Sequence, residues 1–355
     1  MKKVGIVTIY DNNYGNRLQN YAVQEILKGL DCDVITIKNT GRLNKKQNNI
    51  EYLVRNIRYI IHVCADKFKR NQRDYAFLDF NRNIKFSKRT FNWFHTQWLH
   101  KFDYFITGSD QVWNPKFRLS KVDLLSFAEP NKRISLAASI ANDDISDNLK
   151  GLFYSEVKDY KAISVREDSA KEIVERITKR ADIQVLVDPT MLIDEKKWSK
   201  LAKKPEQLKS NKFILCYFLG DVSDEINQEI RRIADENDCD IISLMDKSSV
   251  YYQTGPSEFL YLEKNSFFTI TDSFHSCVFS ILFDTPFVVC DRQKNNVKTM
   301  GSRIDTLLSK FELENRKFNG SISDDLLKCD YSNAKKILEN EQKKANNFIK
   351  RAIDI

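Results

Sequence analysis

The sequence predicts an α/β protein with two Rossmann-like domains that face each other across a cleft. The first observation is a strand–loop–helix–strand pattern over residues 4–38. The second is that the same pattern returns about 207 to 209 positions later, over residues 213–244. The third is that most of the predicted strands end in polar residues, as strands do at the ligand-binding edge of a parallel sheet.

The length and the connecting segments predict how the chain is divided. A chain of 355 residues is too long for one typical domain and suits two. We expect a first domain over residues 1–195 and a second over residues 210–330, joined by a lysine-rich connection. Residues 332–355 predict a helix with an apolar stripe, and packing back on the first domain is one way to bury that stripe.

The strands follow from short β-branched and aromatic runs, each bounded by turn residues. In the first domain they are predicted at residues 4–10, 34–38, 103–107, 133–140, 161–165 and 184–187. In the second domain they are predicted at residues 213–219, 241–244, 267–271 and 287–290. A D-C-D step precedes one strand of each domain, at the edge of the sheet away from ligands, so we interpret both steps as turns rather than metal sites.

The stretch over residues 266–291 carries the clearest site signal. A predicted strand leads through Asp272 and Ser273 into an apolar helix, with His275 in its first turn. The first turn of a helix offers unpaired N–H groups and a partial positive charge to an anion. The three other histidines of the chain have no comparable surroundings.

The composition excludes several classes of protein. Seven cysteines without a CxxC pair predict neither a disulfide framework nor a zinc site, and we expect no metal or other cofactor. With ten glycines and no GxG, the dinucleotide fingerprint, the kinase loop and the Walker loop are missing, as is a GxSxG elbow. No apolar run approaches a membrane span, and the apolar start is too short for a signal peptide, so the predicted location is cytoplasmic.

Residues 42–101 form a basic and aromatic segment that we interpret as an insertion. It holds 14 Lys and Arg against 4 Asp and Glu, whereas the whole chain has a net charge of +8. Three interpretations compete for this segment: an anionic membrane surface or lipid-linked phosphate as partner, nucleic acid, or an irregular insertion whose aromatic residues pack on the domain. Because no nucleic-acid-binding module accompanies the segment, no nucleic-acid partner is expected.

Seven short motifs, in this order along the chain, resemble the polysaccharide pyruvyl transferase family. They are NYGNRLQNYA (13–22), GSDQVWNP (108–115), SLAAS (135–139), ISVRE (163–167), VDPT (187–190), GPSEFL (255–260) and TDSFHS (271–276). The resemblance implies a GT-B-like fold and a bacterial enzyme of capsule or exopolysaccharide synthesis. It also implies transfer of pyruvate from phosphoenolpyruvate to a sugar, as a ketal.

One departure from the family pattern bears on the donor. The family carries an Arg-Leu-His step where this chain has Ser273, Phe274 and His275. The histidine is kept and one anion-binding arginine is replaced by serine. Arg303 or Arg292 would then supply the missing positive charge.

The motifs and strand ends together predict the site residues. As catalytic groups we expect His275, as acid/base or phosphate donor, and Asp110, as base for the acceptor. The expected donor-binding residues are Arg166, Ser273, Ser276, Arg303 and Arg292. The expected acceptor-binding residues are Asn13, Tyr14, Asn16, Arg17, Gln19, Ser109 and Trp113.

Structural roles compete with these assignments. His275 would equally suit capping its own loop, Arg166 an ion pair with Glu167 or Asp188, and Asp110 a helix cap.

The predicted function is therefore pyruvyl transfer from phosphoenolpyruvate to a sugar of a surface polysaccharide or of its lipid-linked precursor. Peripheral contact with the inner face of the membrane, through residues 42–101, belongs to this hypothesis. One alternative is a GT-B glycosyltransferase that uses a nucleotide sugar, because the same helix N-terminus suits a diphosphate. A second alternative is a glycan-binding protein without catalysis.

Overall fold

A computed structural model describes residues 1–39, 72–116, 118–142, 144–294, 297–299 and 301–355. The first half of the predicted insertion, residues 42–71, lies outside them, and so does the part of the predicted membrane contact that falls on these residues. Among the described residues, no helix combines the length and the apolar character needed to cross a membrane.

A parallel sheet of seven strands organises the first unit in the described part of the chain, in the order β3-β2-β1-β4-β5-β6-β7. The strands are β1 (Lys3–Val7), β2 (Asp33–Lys38), β3 (Phe86–Thr90), β4 (Tyr104–Thr107), β5 (Arg133–Ala138), β6 (Ala162–Val165) and β7 (Gln184–Val185). Its helices are α1 (Tyr14–Lys28), α2 (Gln72–Phe80), α3 (Asp147–Val157) and α4 (Asp168–Thr178). Since all pairings are parallel, the loops after the strands share one edge of the sheet.

A smaller parallel sheet organises the second unit, in the order β11-β10-β8-β9. Its strands are β8 (Phe213–Tyr217), β9 (Asp240–Ser243), β10 (Phe268–Thr271) and β11 (Phe287–Val289), followed by a hairpin of β12 (Arg292–Lys294) and β13 (Val297–Thr299). The later helices are α5 (Glu195–Leu201), α6 (Asp224–Asn237), α7 (Pro256–Asn265), α8 (Phe274–Leu282), α9 (Ser302–Phe311) and α10 (Ser332–Ala352).

Local sequence signals account for several element boundaries. Ser223 caps α6 by accepting from the Ile226 amide, and Pro256 begins α7 after Gly255. In the two D-C-D steps, Asp31 and Asp238 have φ values of 54° and 51°, which end a helix before the next strand begins.

The described part of the predicted insertion contains regular structure that the sequence interpretation did not assign. α2 packs Phe77 and Phe80 into the core, and β3 adds an edge strand to the large sheet. The strand was not predicted because its sequence, FSKRT, is basic rather than apolar. An edge strand tolerates such charged side chains on its open side. Trp93 and Phe94 nearby are exposed by 45% and 77%.

The two units are joined by a shared apolar core that includes residues of both. Tyr14 of α1 stacks on Phe259 of α7 with ring centroids 4.5 Å apart, and its hydroxyl hydrogen-bonds Thr254 at 2.8 Å. Arg73 of α2 donates to the Tyr252 carbonyl at 2.8 Å. The units therefore face each other, which confirms the predicted fold class of two parallel α/β units in a GT-B-like arrangement.

The C-terminal helix α10 also contacts the first unit. Gln342 donates to the Met191 carbonyl at 2.8 Å, and Lys344 donates to the Val185 carbonyl at 2.9 Å. Beyond the helix, Asp354 accepts from Lys161 at 2.9 Å. These contacts connect the end of the chain to β6 and β7.

Glu263 of α7 predicts how stability depends on pH. Its carboxyl is fully buried, and the hydroxyls of Ser276 and Ser280 on α8 donate to it. Burial raises the pKa of Glu263 from 4.5 to about 8, although the two hydroxyls oppose the shift. The native state thus holds a proton that the unfolded state releases between these two values.

We expect the free energy of unfolding to fall as the pH rises from about 4.5 to about 8, by an amount on the order of a few kcal/mol. Glu263→Gln should flatten this dependence, because an amide has no proton to lose. Urea unfolding at several pH values measures it, with Glu339→Gln on the exposed side of α10 as the control. An unchanged slope in Glu263→Gln would contradict the assignment.

Candidate active site

Three loops of the first unit and two helices of the second meet at one place. The loops follow β4, β6 and β7, and they carry Asp110, Arg166 and Asp188 to the same edge of the large sheet. The first turn of α8 brings His275, and the first turn of α9 brings Arg303. All five side chains are buried, so their mutual contacts are formed in a region of low dielectric.

Asp188 bonds to two other loops of the first unit. One carboxylate oxygen accepts from Arg166 Nη1 at 2.6 Å and from Ser109 Oγ at 2.9 Å. The other accepts from the Thr190 amide at 3.0 Å and from its hydroxyl at 2.8 Å. Burial opposes ionisation, but the charges of His275 and Arg166 and the Thr190 amide outweigh it and hold the pKa of Asp188 well below its usual range.

Asp110 lies beside this pair. Arg166 Nη2 is 3.4 Å from one carboxylate oxygen, and the side-chain Nδ2 of Asn16 donates to the other. Burial opposes the ionised form, yet the charges of Arg166, His275 and Arg303 prevail and lower the pKa of Asp110. Asp110 is therefore a carboxylate that presents hydrogen-bond acceptors inside the site.

The imidazole of His275 crosses from the second unit into the first. Its Nε2 lies 3.7 Å from the nearer Asp188 oxygen, and the side chain is 7% exposed. On its other edge it touches α1 at Gly15, where an added Cβ would come within 2.0 Å of Nδ1. Among the described residues, Nε2 has no hydrogen-bond partner, so it is available to a ligand.

Two guanidinium groups flank the ring of Phe274. Arg166 lies 4.3 Å from the ring centroid and Arg303 lies 6.0 Å from it. Burial and the nearby charges of Arg166 and Arg292 lower the pKa of Arg303 to about 10, so it remains a cation at neutral pH. Since α1, α4, α8 and α9 all begin at or next to these residues, their N-terminal dipoles add to the positive potential.

Several predicted acceptor residues have structural roles in this arrangement. Trp113 is fully buried and packs edge-on against Phe153 at 5.2 Å, so neither ring face is open to a sugar. Tyr14 belongs to the interface between the units, as described above. Gln19 donates to Thr8 at 2.8 Å and accepts from the Ser109 amide at 3.0 Å, which supports the loop from behind.

The remaining acceptor candidates lie in or near the first turn of α1. Asn13 caps this helix by accepting from the Asn16 amide at 3.3 Å. Arg17 is 4% exposed, and one of its nitrogens donates to Asn12 at 3.1 Å. Burial lowers the pKa of Arg17 to about 10, although nearby Asp11 opposes the shift.

The predicted donor residues separate into two groups. Arg166 and Arg303 lie in the site beside His275. Ser276 instead donates to the buried Glu263, and Arg292 contacts Asp272 at 3.3 Å and its carbonyl at 3.0 Å. Ser273 occupies the N-cap position of α8 with extended backbone angles, and its backbone amide donates to the Thr271 hydroxyl at 3.0 Å. Of the two arginines proposed to replace the missing one, the structure places Arg303 near Phe274, the residue before His275.

Two residues of the site were not predicted as functional. Asp188 was considered only as an ion-pair partner of Arg166, although its VDPT motif ends a strand at the same sheet edge. Gly15 lies in the first motif but has no side chain to suggest chemistry. Among the described residues, no group of three or more His, Cys, Asp or Glu side chains is placed to hold a metal ion.

The comparison with protein families identifies the family of this chain. The family described as polysaccharide pyruvyl transferase matches residues 13–294, which include every residue of the site except Arg303. The chain belongs to the polysaccharide pyruvyl transferase family. A search of the curated proteins finds no match.

Three solved structures have a similar overall course of the chain. One, assigned as a UDP-N-acetylglucosamine 2-epimerase of Listeria monocytogenes, has 10% identity and a TM-score of 0.49, covering 98% of this chain and 90% of its own. The Methanocaldococcus jannaschii UDP-GlcNAc 2-epimerase, solved with UDP-GlcNAc and UDP, has 13% identity and a TM-score of 0.45, with 96% and 99% covered. MnaA of S. aureus, solved with UDP, has 13% identity and a TM-score of 0.47, with 98% and 91% covered.

The loop that carries Asp110 depends on Gly108. This glycine has a φ of +112°, and an added Cβ would come within 2.3 Å of the Leu136 carbonyl oxygen, which is backbone and cannot swing away. We expect Gly108→Ala to destabilise the fold by about 1–3 kcal/mol, measured by urea unfolding. Gly151→Ala, in the interior of α3 with no atom within 4 Å of the added Cβ, is the matched control. Equal stability of the two variants would contradict this account.

Proposed function

We propose that this family member transfers a pyruvyl group from phosphoenolpyruvate to a sugar of a bacterial surface polysaccharide or of its lipid-linked precursor, forming a ketal. The observation that carries the proposal is the group of Arg166, Arg303 and His275, where several helix N-termini converge. Phosphoenolpyruvate presents a carboxylate and a phosphate close together. Two guanidinium groups and a helix N-terminus suit these two anions.

Each site residue has a role in this proposal. Arg166 and Arg303 hold the carboxylate and the phosphate, and they stabilise the charge that grows on the leaving phosphate. His275 supplies or receives protons at Nε2, the buried nitrogen that lies 3.7 Å from Asp188 and has no hydrogen-bond partner among the described residues. Asp110 accepts a hydrogen bond from an acceptor hydroxyl and orients its oxygen toward the donor.

The bonds balance without any further reactant. The methylene carbon of the donor takes a proton from His275, and one sugar hydroxyl oxygen bonds to the neighbouring carbon while its proton passes toward Asp110. The bond from that carbon to the phosphate oxygen then breaks, and a second hydroxyl oxygen bonds to the same carbon in its place. The second hydroxyl proton restores His275, the first leaves with the phosphate, and the products are the ketal and inorganic phosphate.

Access to the site requires the two units to separate locally. The side chains of Arg166, Asp188 and His275 are exposed by 1%, 0% and 7%. Because His275 lies on the second unit and its two neighbours lie on the first, a small movement of α7 and α8 together, away from the first unit, opens the space between them. Closing again around the donor would exclude water.

Ligand binding tests the choice of donor. Isothermal titration and thermal shift should show that phosphoenolpyruvate binds the wild type, whereas a panel of nucleotide sugars does not. Arg166→Lys should weaken phosphoenolpyruvate binding by roughly 10-fold or more, because an ammonium cannot replace a planar fork that also contacts two carboxylates. Stabilisation by nucleotide sugars alone would reject the pyruvyl proposal in favour of a glycosyltransferase, and no binding of any of them would favour a glycan-binding protein.

Removal of the imidazole tests the chemistry. We expect His275→Ala to fold normally and to lose transfer by roughly 100-fold or more, since proton transfer by a positioned side chain contributes about that much. Phosphate release in the presence of acceptor glycan measures the rate, and His95→Ala, at an exposed histidine, is the matched control. A fully active His275→Ala enzyme would remove His275 from the mechanism.

A further inference from the structure

The imidazole of His275 occupies a gap in the first unit that is shaped for it. One edge of the ring lies against α1 at Gly15, and the opposite nitrogen faces Asp188 after β7. The two residues are 173 positions apart in sequence (188 − 15), and both lie more than 80 positions from the histidine. Gly15 and Asp188, which border the ring on these two sides, both belong to the first unit.

Gly15 contributes to this gap by its lack of a side chain. A Cβ at this position would come within 2.0 Å of Nδ1, 2.4 Å of Cε1 and 2.6 Å of Cγ of the ring. No real contact is that short, so any other residue would push the imidazole away. Gly15 is the second residue of α1, and the space taken by the imidazole accounts for a glycine there.

Asp188 contributes the charge on the other edge. Its nearer oxygen is 3.7 Å from Nε2 and is held in place by Arg166 and Ser109. The other charged groups around the ring are Asp110, Arg166 and Arg303. Since Asp188 is bonded through both oxygens, its position is set by the first unit and not by the histidine.

We infer that Gly15 and Asp188 are positioning residues that hold the imidazole of His275 in the gap of the first unit, which we call the seat. The histidine of the second unit is competent for catalysis only when its ring lies in this seat. The catalytic consequence rests on the proposed function of His275. The seating itself is a property of the contact between the units. It therefore has a readout that is independent of pyruvyl transfer.

Gly15→Ala tests the seat most directly. Gly151→Ala is the matched control, because it makes the same change inside a helix with open space around the added Cβ. We expect Gly15→Ala to lower kcat roughly 100-fold, as a displacement of about 1 Å does, with little change in the Kd for phosphoenolpyruvate. In the His275→Ala background Gly15→Ala should cause no further loss, because it acts through the histidine.

Chemical modification gives the readout that does not depend on activity. We expect diethyl pyrocarbonate to modify His275 faster in Gly15→Ala than in the wild type or Gly151→Ala, as measured by mass spectrometry of the peptide that contains it. If the wild type transfers no pyruvate, the proposed function fails. The modification rates still show whether Gly15 holds the imidazole of His275 in place.

If Gly15→Ala does not fold, Asp188→Asn replaces it in the same assay, because it keeps the size of the side chain and removes the charge that faces Nε2. Faster modification of His275 supports the seat. Unchanged modification in the folded variant, or an equal loss of activity from Gly15→Ala with and without His275, overturns it.

Discussion

The buried carboxylate of Asp188 is the contact on which the candidate site depends. It joins the ends of three strands, because Ser109 follows β4, Arg166 follows β6 and Asp188 itself follows β7. Removing one partner of such a buried pair typically costs about 3–5 kcal/mol, because the other charge is left without compensation. The positions of Asp110 and of the first turn of α4 thus follow from one ion pair and its hydrogen bonds.

The second unit holds its histidine on an equally rigid support. His275 faces the first unit, whereas the next residue, Ser276, and Ser280 one turn later bond to Glu263 on α7. Raising the pKa of Glu263 by burial keeps this carboxyl protonated at neutral pH, so no uncompensated charge lies behind the site. The helix is therefore fixed from behind, and the imidazole moves only as far as α7 and α8 move together.

Much of this arrangement could be predicted from the sequence, because the prediction used the geometry of a parallel sheet. Polar residues that follow buried strands of a parallel sheet meet at one edge, and this places Asp110 and Arg166 together without any structure. The repeat of the β-α-β plan gave the two units in the same way. The first turn of an apolar helix after such a strand similarly singled out His275.

The predicted residues to which the structure gives a packing or supporting role have a common feature as well. Trp113 and Tyr14 suit a sugar because they are large and amphipathic, and the same properties suit a core, so residue type alone did not decide between the two. Ser276 is adjacent to His275 in sequence, but one position along a helix turns the side chain by about 100°, toward α7. Gly15 was missed because the reason for its lack of a side chain is the ring of His275. That residue lies 260 positions later (275 − 15), and the sequence does not show that the two are in contact.

The two contacts of Arg166 suggest how donor binding and the base are linked under the proposed function. Its contact with Asp188 is 2.6 Å and its contact with Asp110 is 3.4 Å, so an incoming anion displaces the Asp110 contact more easily. Once the donor occupies that nitrogen, Asp110 loses part of the positive surroundings that lower its pKa and faces an added negative charge. Both changes raise its affinity for a proton. Asp110 would thus become a better base only after the donor is in place, which orders donor binding before activation of the acceptor hydroxyl.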